Sequence, residues 1–371
     1  MRILLVAGTR PELIKMAPLV LCSDSSEGLK RQLCLSGQHR EMARQVLDHF
    51  GIEPDFDLQV MKGAQGLPYL TSAILSGMDR VLDQFTPDWV VVQGDTTTTF
   101  AAALAAFYRR VKVAHVEAGL RTGNIRSPWP EELNRRMTSQ VADLHFAPTE
   151  KARSNLLAEG VPVQKVFMIG NTVIDALLWT RKRQMSNAHF EQAMRKKFAQ
   201  FSSSKRVILV TGHRRENFDG GLESVFLALG ELAERGDVQI VFPVHLNPIV
   251  QQAAHKALGN RTNVHLIPPQ PYEEFVWLMA GSYLIITDSG GIQEEAPSLG
   301  KPVLVTRDTT ERPEAIEAGN AVLVGTDRTK ILEQASLLLD NVAVYSERAS
   351  KTNPYGDGTS AMRILDTLRH Y

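Results

Sequence analysis

Two doubly wound α/β domains are the fold class this sequence predicts, on three observations. Short β-branched runs alternate with amphipathic helical patterns from one end of the chain to the other, which is how parallel strands joined by crossover helices read. The 371 residues make about two domains of ~100–200 residues each. Hydrophobic residues at 43% and charged residues at 22% are globular values that supply substantial cores and exclude disorder, collagen and coiled coil.

In the first half the pattern predicts strands over residues 2–7, 32–36, 89–93, 111–116, 144–147 and 166–169. Helices are predicted between them over 11–22, 40–50, 98–109, 131–141 and 150–159. Pro11 suits a first helical turn, where a missing N–H costs nothing. In the second half, strands are predicted over 206–211, 238–243, 264–267, 284–287, 302–305 and 322–324, with helices over 222–234, 248–258, 272–280 and 291–299. Residues 179–205, rich in Arg, Lys, Gln and Ser and poor in strand formers, read as a connection with some helix of its own. Pro68 falls where a helix is expected to begin or continue; at a first turn it is harmless, later it kinks the helix. The expected domains are 1–172 and 173–359.

Lysine plus arginine and aspartate plus glutamate each total 41. That balance leaves no basic footprint for nucleic acid and no acidic tail. The longest apolar run, residues 100–108, is far short of the ~20 residues that cross a bilayer. The N-terminal apolar stretch ends at Gly8-Thr9-Arg10-Pro11-Glu12, too soon for a secretory signal, and reads as a first strand. Cys22 and Cys34 are too few for a disulfide scaffold or a zinc site. A cytoplasmic protein without metal or membrane partner is the expectation.

Two such domains facing each other across a cleft place their active site at the carboxyl ends of both sheets. No G-x-G-x-x-G follows the first strand and no P-loop occurs, which counts against a nicotinamide enzyme. Arg10 and Lys15 can point at an anion held at a helix N-terminus, or be two solvated cations. In Gln93-Gly94-Asp95-Thr96, Asp95 is either a helix cap or a strand-end carboxylate aimed at the cleft. Strand alternation puts His115 and Glu117 on one face, and a carboxylate at the end of an apolar strand needs a partner or a job. Glu131 and Glu132 suit a first helical turn. Asp95, Glu117 and Glu131 together supply carboxylates on neighbouring strand ends, which general acid–base chemistry requires. In the second half, His213, followed by Arg214 and Arg215, is a candidate phosphate or general-acid group, and His245 ends another strand. Ser289-Gly290-Gly291 exposes successive backbone N–H groups at a helix start, a phosphate cradle. Glu294 or Glu295 then lies within reach of a ribose diol, and Arg312 adds a cation before a further helix.

Taken in order, Gly8-Thr9-Arg10-Pro11-Glu12, Gly94-Asp95-Thr96, Val116-Glu117-Ala118-Gly119-Leu120-Arg121, Gly212-His213-Arg214-Arg215-Glu216-Asn217, Thr287-Asp288-Ser289-Gly290-Gly291 and Thr310-Glu311-Arg312-Pro313-Glu314 resemble the signatures of the non-hydrolysing UDP-N-acetylglucosamine 2-epimerases. The likeness runs from residue 2 to about residue 358. It is greatest to bacterial enzymes that feed UDP-N-acetylmannosamine into surface polysaccharides such as enterobacterial common antigen. The resemblance implies a glycosyltransferase-B-like fold of two Rossmann-like domains, with residues 360–371 forming a helix that returns to the first. It further implies a homodimer, no cofactor, and epimerisation at C2 by elimination and re-addition of UDP through 2-acetamidoglucal. Asp95, Glu117, Glu131 and His213 are then the catalytic set, with acid and base unassigned. UDP contacts carried over are Arg10, Lys15, Gln270, Phe275, Ser289, Gly290, Gly291, Glu295 and Arg312. Gln38, Arg214 and His245 mark a second site where UDP-N-acetylglucosamine activates the enzyme. A glycosyltransferase or hydrolysing epimerase of the same fold is the alternative. A non-catalytic UDP-sugar sensor, the remaining rival, has no use for the three carboxylates.

Overall fold

A computed structural model of the chain describes residues 1–23, 28–37, 40–61, 66–212, 214 and 220–371. It divides into two units, one of Met1–Ala176 with Tyr355–Tyr371, the other of Leu177–Pro354. Strands of the first are β1 (Arg2–Ala7), β2 (Lys30–Leu35), β3 (Phe56–Asp57), β4 (Trp89–Gln93), β5 (Lys112–Val116), β6 (Leu144–Ala147) and β7 (Val166–Met168). Its helices are α1 (Arg10–Leu21), α2 (Arg40–Phe50), α3 (Leu67–Phe85), α4 (Thr97–Tyr108), α5 (Glu131–Val141), α6 (Glu150–Ala158) and α7 (Thr172–Met185), the last running on into the second unit. The second unit adds β8 (Arg206–Thr211), β9 (Val238–Pro243), β10 (Val264–Ile267), β11 (Leu284–Thr287), β12 (Val303–Val305) and β13 (Ala321–Leu323). Its helices are α8 (Ala188–Lys197), α9 (Gly221–Leu232), α10 (Pro248–Leu258), α11 (Tyr272–Gly281), α12 (Gly290–Glu295), α13 (Pro313–Glu317), α14 (Arg328–Asp340) and α15 (Val342–Ala349). Finally α16 (Ser360–His370) belongs to the first unit.

Both sheets are parallel. Their orders are β3-β2-β1-β4-β5-β6-β7 and β10-β9-β8-β11-β12-β13, each a doubly wound sheet that reverses direction beside its first strand. The expected Rossmann-like fold is therefore present twice. Central strands such as β4 and β9 are buried along their whole length, as strands covered by helices on both faces must be. The reversal points fall at the loops after β1 and β4 in the first unit and after β8 and β11 in the second. Those four loops and the helix starts behind them hold Gly8–Arg10, Gly94–Thr96, Gly212 with Arg214, and Asp288–Gly291.

Several boundaries differ from the sequence reading for local reasons. Pro68 lies at the second position of the 19-residue α3, where its missing N–H is harmless. The two-residue β3 is too short for any periodicity to announce. The connection predicted at 179–205 holds the end of α7 and all of α8, whose cap Asn187 accepts from the Phe190 N–H at 3.0 Å. The helix predicted at 291–299 is α12 followed by a 3-10 turn, Ala296–Leu299, because Pro297 cannot donate to the preceding turn. Gly8 is required by packing: a β-carbon there would lie 2.2 Å from Thr98 Oγ1 and 2.5 Å from Ser36 Oγ. No described helix is long and apolar enough to cross a membrane.

Candidate functional site

In the first unit the geometry centres on Glu117. Strand alternation ends at Val116: Glu117 turns into the left-handed region with φ +61°, a conformation that costs a non-glycine residue about 1–3 kcal/mol and persists only where the surroundings impose it. What imposes it is a ring of donors. Lys15 Nζ donates to both carboxylate oxygens, at 2.6 and 2.8 Å. Asn171 Nδ2 donates at 3.0 Å, and the Gln93 amide donates as well. Glu117 is 7% exposed, and its carboxylate accepts from one cation and two amides. His115, which alternation put on the face of Glu117, donates its Nε2–H to the Gly94 carbonyl, 2.7 Å away. Burial lowers its pKa to about 3, so the ring is neutral and the contact anchors the loop that carries Asp95.

Asp95 does not cap α4. Thr96 does, its hydroxyl accepting from the Thr99 N–H. That leaves the Asp95 carboxylate for Arg135 on α5, at 2.8 Å. Desolvation by burial nevertheless pushes its pKa up to about 6, with Arg135 opposing and Glu117 and Glu131 adding to the rise. Two carboxyls of the first unit, each beside a cation, thus differ in the rest of their surroundings: Glu117 also accepts from two amides, while Asp95 titrates near 6. Glu131 opens α5 and is partly buried.

The anion expected at the start of α1 meets an occupied site. Glu12, 3% exposed, accepts from the Gly8 and Thr9 N–H groups at 2.8 and 2.6 Å. Its other oxygen accepts from the Thr96 and Thr99 hydroxyls at 2.5 and 3.1 Å. One carboxylate therefore ties the Arg10 loop to the Asp95 loop. Of the two cations read as anion ligands, Lys15 is engaged by Glu117, while Arg10 stands partly buried at the start of α1.

In the second unit Ser289 precedes α12 without its side chain capping the helix. Its own N–H donates to Thr287 Oγ1 at 2.9 Å. Arg312 pairs with Glu294 and takes its bearing from Thr310, whose hydroxyl accepts from the Arg312 N–H at 3.0 Å and donates to Gln293 at 2.7 Å. Of the two glutamates read as diol acceptors, Glu294 is thus taken by Arg312, and Glu295 accepts from the Tyr272 hydroxyl at 2.8 Å. Gln270 accepts from Lys197 at 3.0 Å. Phe275, one turn beyond Tyr272 on α11, is partly buried. The Arg214 N–H donates to Asp288 at 2.8 Å, and His245 stands exposed after β9 with Nδ1 accepting from the Asn247 N–H. His213 and Gln38 lie outside the described residues. No group of three His, Cys, Asp or Glu among the described residues is placed to hold a metal ion.

Sequence reasoning missed Gln93, Asn171 and Arg135, which surround the two carboxyls. Only Gln93 carried a usable signal, as a polar residue ending a wholly apolar strand.

Sheets of this order, with their charged residues gathered at the reversal points, define a two-domain Rossmann-like protein of the glycosyltransferase-B-like class. The family model described as UDP-N-acetylglucosamine 2-epimerase matches residues 22–369, and the chain belongs to that family. It is 53% identical over 371 residues to the UDP-N-acetylglucosamine 2-epimerase of Escherichia coli K12, covering 100% of this chain and 99% of that protein. The crystal structure of the Neisseria meningitidis UDP-GlcNAc 2-epimerase bound to UDP-GlcNAc superposes with a TM-score of 0.92 at 48% identity, over 100% of each chain. That of the Methanocaldococcus jannaschii enzyme in complex with UDP-GlcNAc and UDP gives 0.81 at 33%, again over 100% of each chain.

Proposed function

We propose that this chain catalyses the reversible C2 epimerisation of UDP-N-acetylglucosamine to UDP-N-acetylmannosamine by elimination and re-addition of UDP. The observation that carries the reading is the unlike pair of carboxyls in the first unit: Glu117 ringed by Lys15, Gln93 and Asn171, and Asp95 pushed up to about 6. Family membership supports it, as do the relatives with UDP-GlcNAc or UDP bound.

The sugar's C2 proton is not acidic until the C1–O bond to UDP begins to break. As that bond breaks its electron pair leaves with UDP, C1 gains oxocarbenium character, and C2 gives up its proton to form the C1–C2 double bond of 2-acetamidoglucal. A proton then arrives on the opposite face of C2, and a UDP oxygen re-forms the bond to C1. The chemistry needs proton-transfer groups and stabilisation of the leaving diphosphate. Asp95 suits proton exchange near neutrality, and Glu117 suits a fixed negative charge beside a developing cation. Glu131 and His213 complete the catalytic set. Arg10 and Lys15 of the first unit and Gln270, Phe275, Ser289, Gly290, Gly291, Glu295 and Arg312 of the second are the UDP contacts, with Phe275 against uracil.

The enzyme works as a cytoplasmic homodimer serving surface polysaccharide synthesis, and its substrate activates it at a second site containing Gln38, Arg214 and His245. Proton NMR with UDP-N-acetylglucosamine in D₂O tests the reaction. The expected outcome is the manno sugar nucleotide carrying deuterium at C2. Free N-acetylmannosamine with UDP overturns it in favour of the hydrolysing variant, and unchanged substrate in favour of a transferase or sensor.

A further inference from the structure

Asn171 belongs to no motif read above, yet it touches the centre of the first unit. It follows Gly170 in the short loop between β7 and α7 and is 2% exposed. Its side-chain amide donates to Glu117 Oε1, and its side-chain oxygen is used by the Val173 N–H at 3.0 Å. The amide therefore has one orientation, donors toward Glu117. Its backbone N–H donates to the carbonyl of Tyr355, 2.6 Å away, at the start of the segment that returns to this unit from the far end of the chain.

That segment clamps the loop. Ser360 Oγ donates to the Ile169 carbonyl at 2.9 Å, and the Ala361 N–H donates to Asp175 Oδ1 at 2.8 Å. Gly170, at φ +90°, has no room for a β-carbon, which would lie 2.8 Å from Ser360 Oγ and 3.0 Å from the Tyr355 carbonyl. Tyr355 itself is 1% exposed. The loop is thus held on one side by residues Tyr355–Ala361 and on the other offers one amide to Glu117.

We propose that Asn171 is a positioning residue for the Glu117 carboxylate, and that the docked C-terminal segment sets Glu117 through it. The proposal rests on the epimerase reading above. It explains how a residue strained into the left-handed region keeps one side-chain orientation: Lys15 supplies charge from a flexible stem, whereas the Asn171 amide supplies direction from a clamped loop.

Among the described residues, the charged and titratable groups facing Glu117 include Lys15 from α1, Asp95 from the loop after β4, and neutral His115 on β5 just before it. None is altered by substitution at Asn171. The test compares wild type, Asn171→Ala, Asn171→Asp and Ser360→Ala for kcat, KM and deuterium incorporation at C2, with thermal melting as the check on folding. Asn171→Ala is expected to lower kcat about 10²-fold, the usual cost of a small misplacement of a reacting group, with KM within about threefold. Asn171→Asp, which has the same shape, is expected to be worse than alanine at neutral pH because it sets two anions together. It recovers as pH falls, because the new carboxyl donates once protonated. Ser360→Ala is expected to lower kcat severalfold with KM unchanged. A merely structural role predicts the reverse order, with the isosteric Asn171→Asp more active than Asn171→Ala at every pH, and that order overturns the proposal. Unchanged kcat in a folded Asn171→Ala overturns it too, and unchanged kcat in Ser360→Ala overturns the part played by the C-terminal segment. An inactive wild type overturns the epimerase reading instead, so the two failures are distinct.

Discussion

The helix that follows β1 and the helix that follows β11 both begin at the reversal point of a parallel sheet, though on opposite sides of it, and their mouths are treated in opposite ways. At α1 the backbone N–H groups of Gly8 and Thr9 are already spent on Glu12, three to four residues further on. At α12 the Ser289 side chain leaves the helix start uncapped, and a β-carbon on Gly290 or Gly291 would meet no neighbour closer than 4.0 Å. A helix N-terminus attracts anions wherever its donors are free. One unit satisfies that demand with its own carboxylate, which ties two loops together; the other has no side-chain cap at the same kind of turn. The same strand–loop–helix unit is thus closed in one place and left uncapped in the other, which is where the proposed function puts the diphosphate.

Substitutions can break this contrast, and the largest effect is expected where the first unit's order is spent. Glu117→Gln, measured by turnover of UDP-N-acetylglucosamine, should lose roughly 10²–10⁴ in kcat, while UDP affinity by calorimetry stays close to wild type. Equal losses in both would mean the two units do not divide their tasks in this way. On the other side of the contrast, Arg312→Gln should weaken UDP binding by roughly 10- to 100-fold, the worth of a hydrogen bond between charged groups. It also leaves Glu294, 2% exposed, without its guanidinium partner, so a lower melting temperature should accompany the loss.

A smaller effect is expected from Asp175→Asn. Burial pushes the Asp175 carboxyl up to about 6 against donors from Ser360 and Ala361. A raised carboxyl pKa means the folded state holds its proton more tightly than the unfolded chain, whose value is 3.8. The favourable contribution is therefore complete below about pH 4 and is lost as pH rises through about 6. Asp175→Asn should then be more stable than wild type at pH 7 by about 2–3 kcal/mol and equal to it at pH 4. Urea unfolding at the two pH values reads the difference, and identical wild-type and variant curves at pH 7 would remove the argument. The smallest change belongs to Pro68→Ala, expected to alter stability by under about 1 kcal/mol because the ring sits in a first turn where no N–H is needed.

The candidate residues that the sequence singled out share one property: their position relative to a strand. Asp95, Glu117, Ser289 and Arg312 stand just past strands or before helices, where a doubly wound sheet exposes side chains at its reversal points. Illegible were the partners. Nothing local marks Asn171 as a neighbour of Glu117, 54 positions away, and nothing marks Arg135 as the cation of Asp95. Glu12 entered the sequence reading only as the end of a motif, and only the return of β4 beside β1 brings the Thr96 and Thr99 hydroxyls to it. The left-handed turn at Glu117 and the His115 contact with the Gly94 carbonyl were likewise beyond what strand alternation could announce.

By itself, then, the sequence determined two doubly wound domains, the succession of strands and helices along the chain and the strand-end loops that carry polar residues, because hydrophobic periodicity and strand-end polarity are local and additive along the chain. The tertiary structure alone decided which of those polar groups meet. Lys15, Gln93 and Asn171 converge on one carboxylate from α1, β4 and the β7–α7 loop, and the last of these is held by the chain's C-terminal segment. Desolvation and charge pairing depend on distance in space, so the ring of donors around Glu117 and the rise of Asp95 to about 6 exist only once those elements have packed.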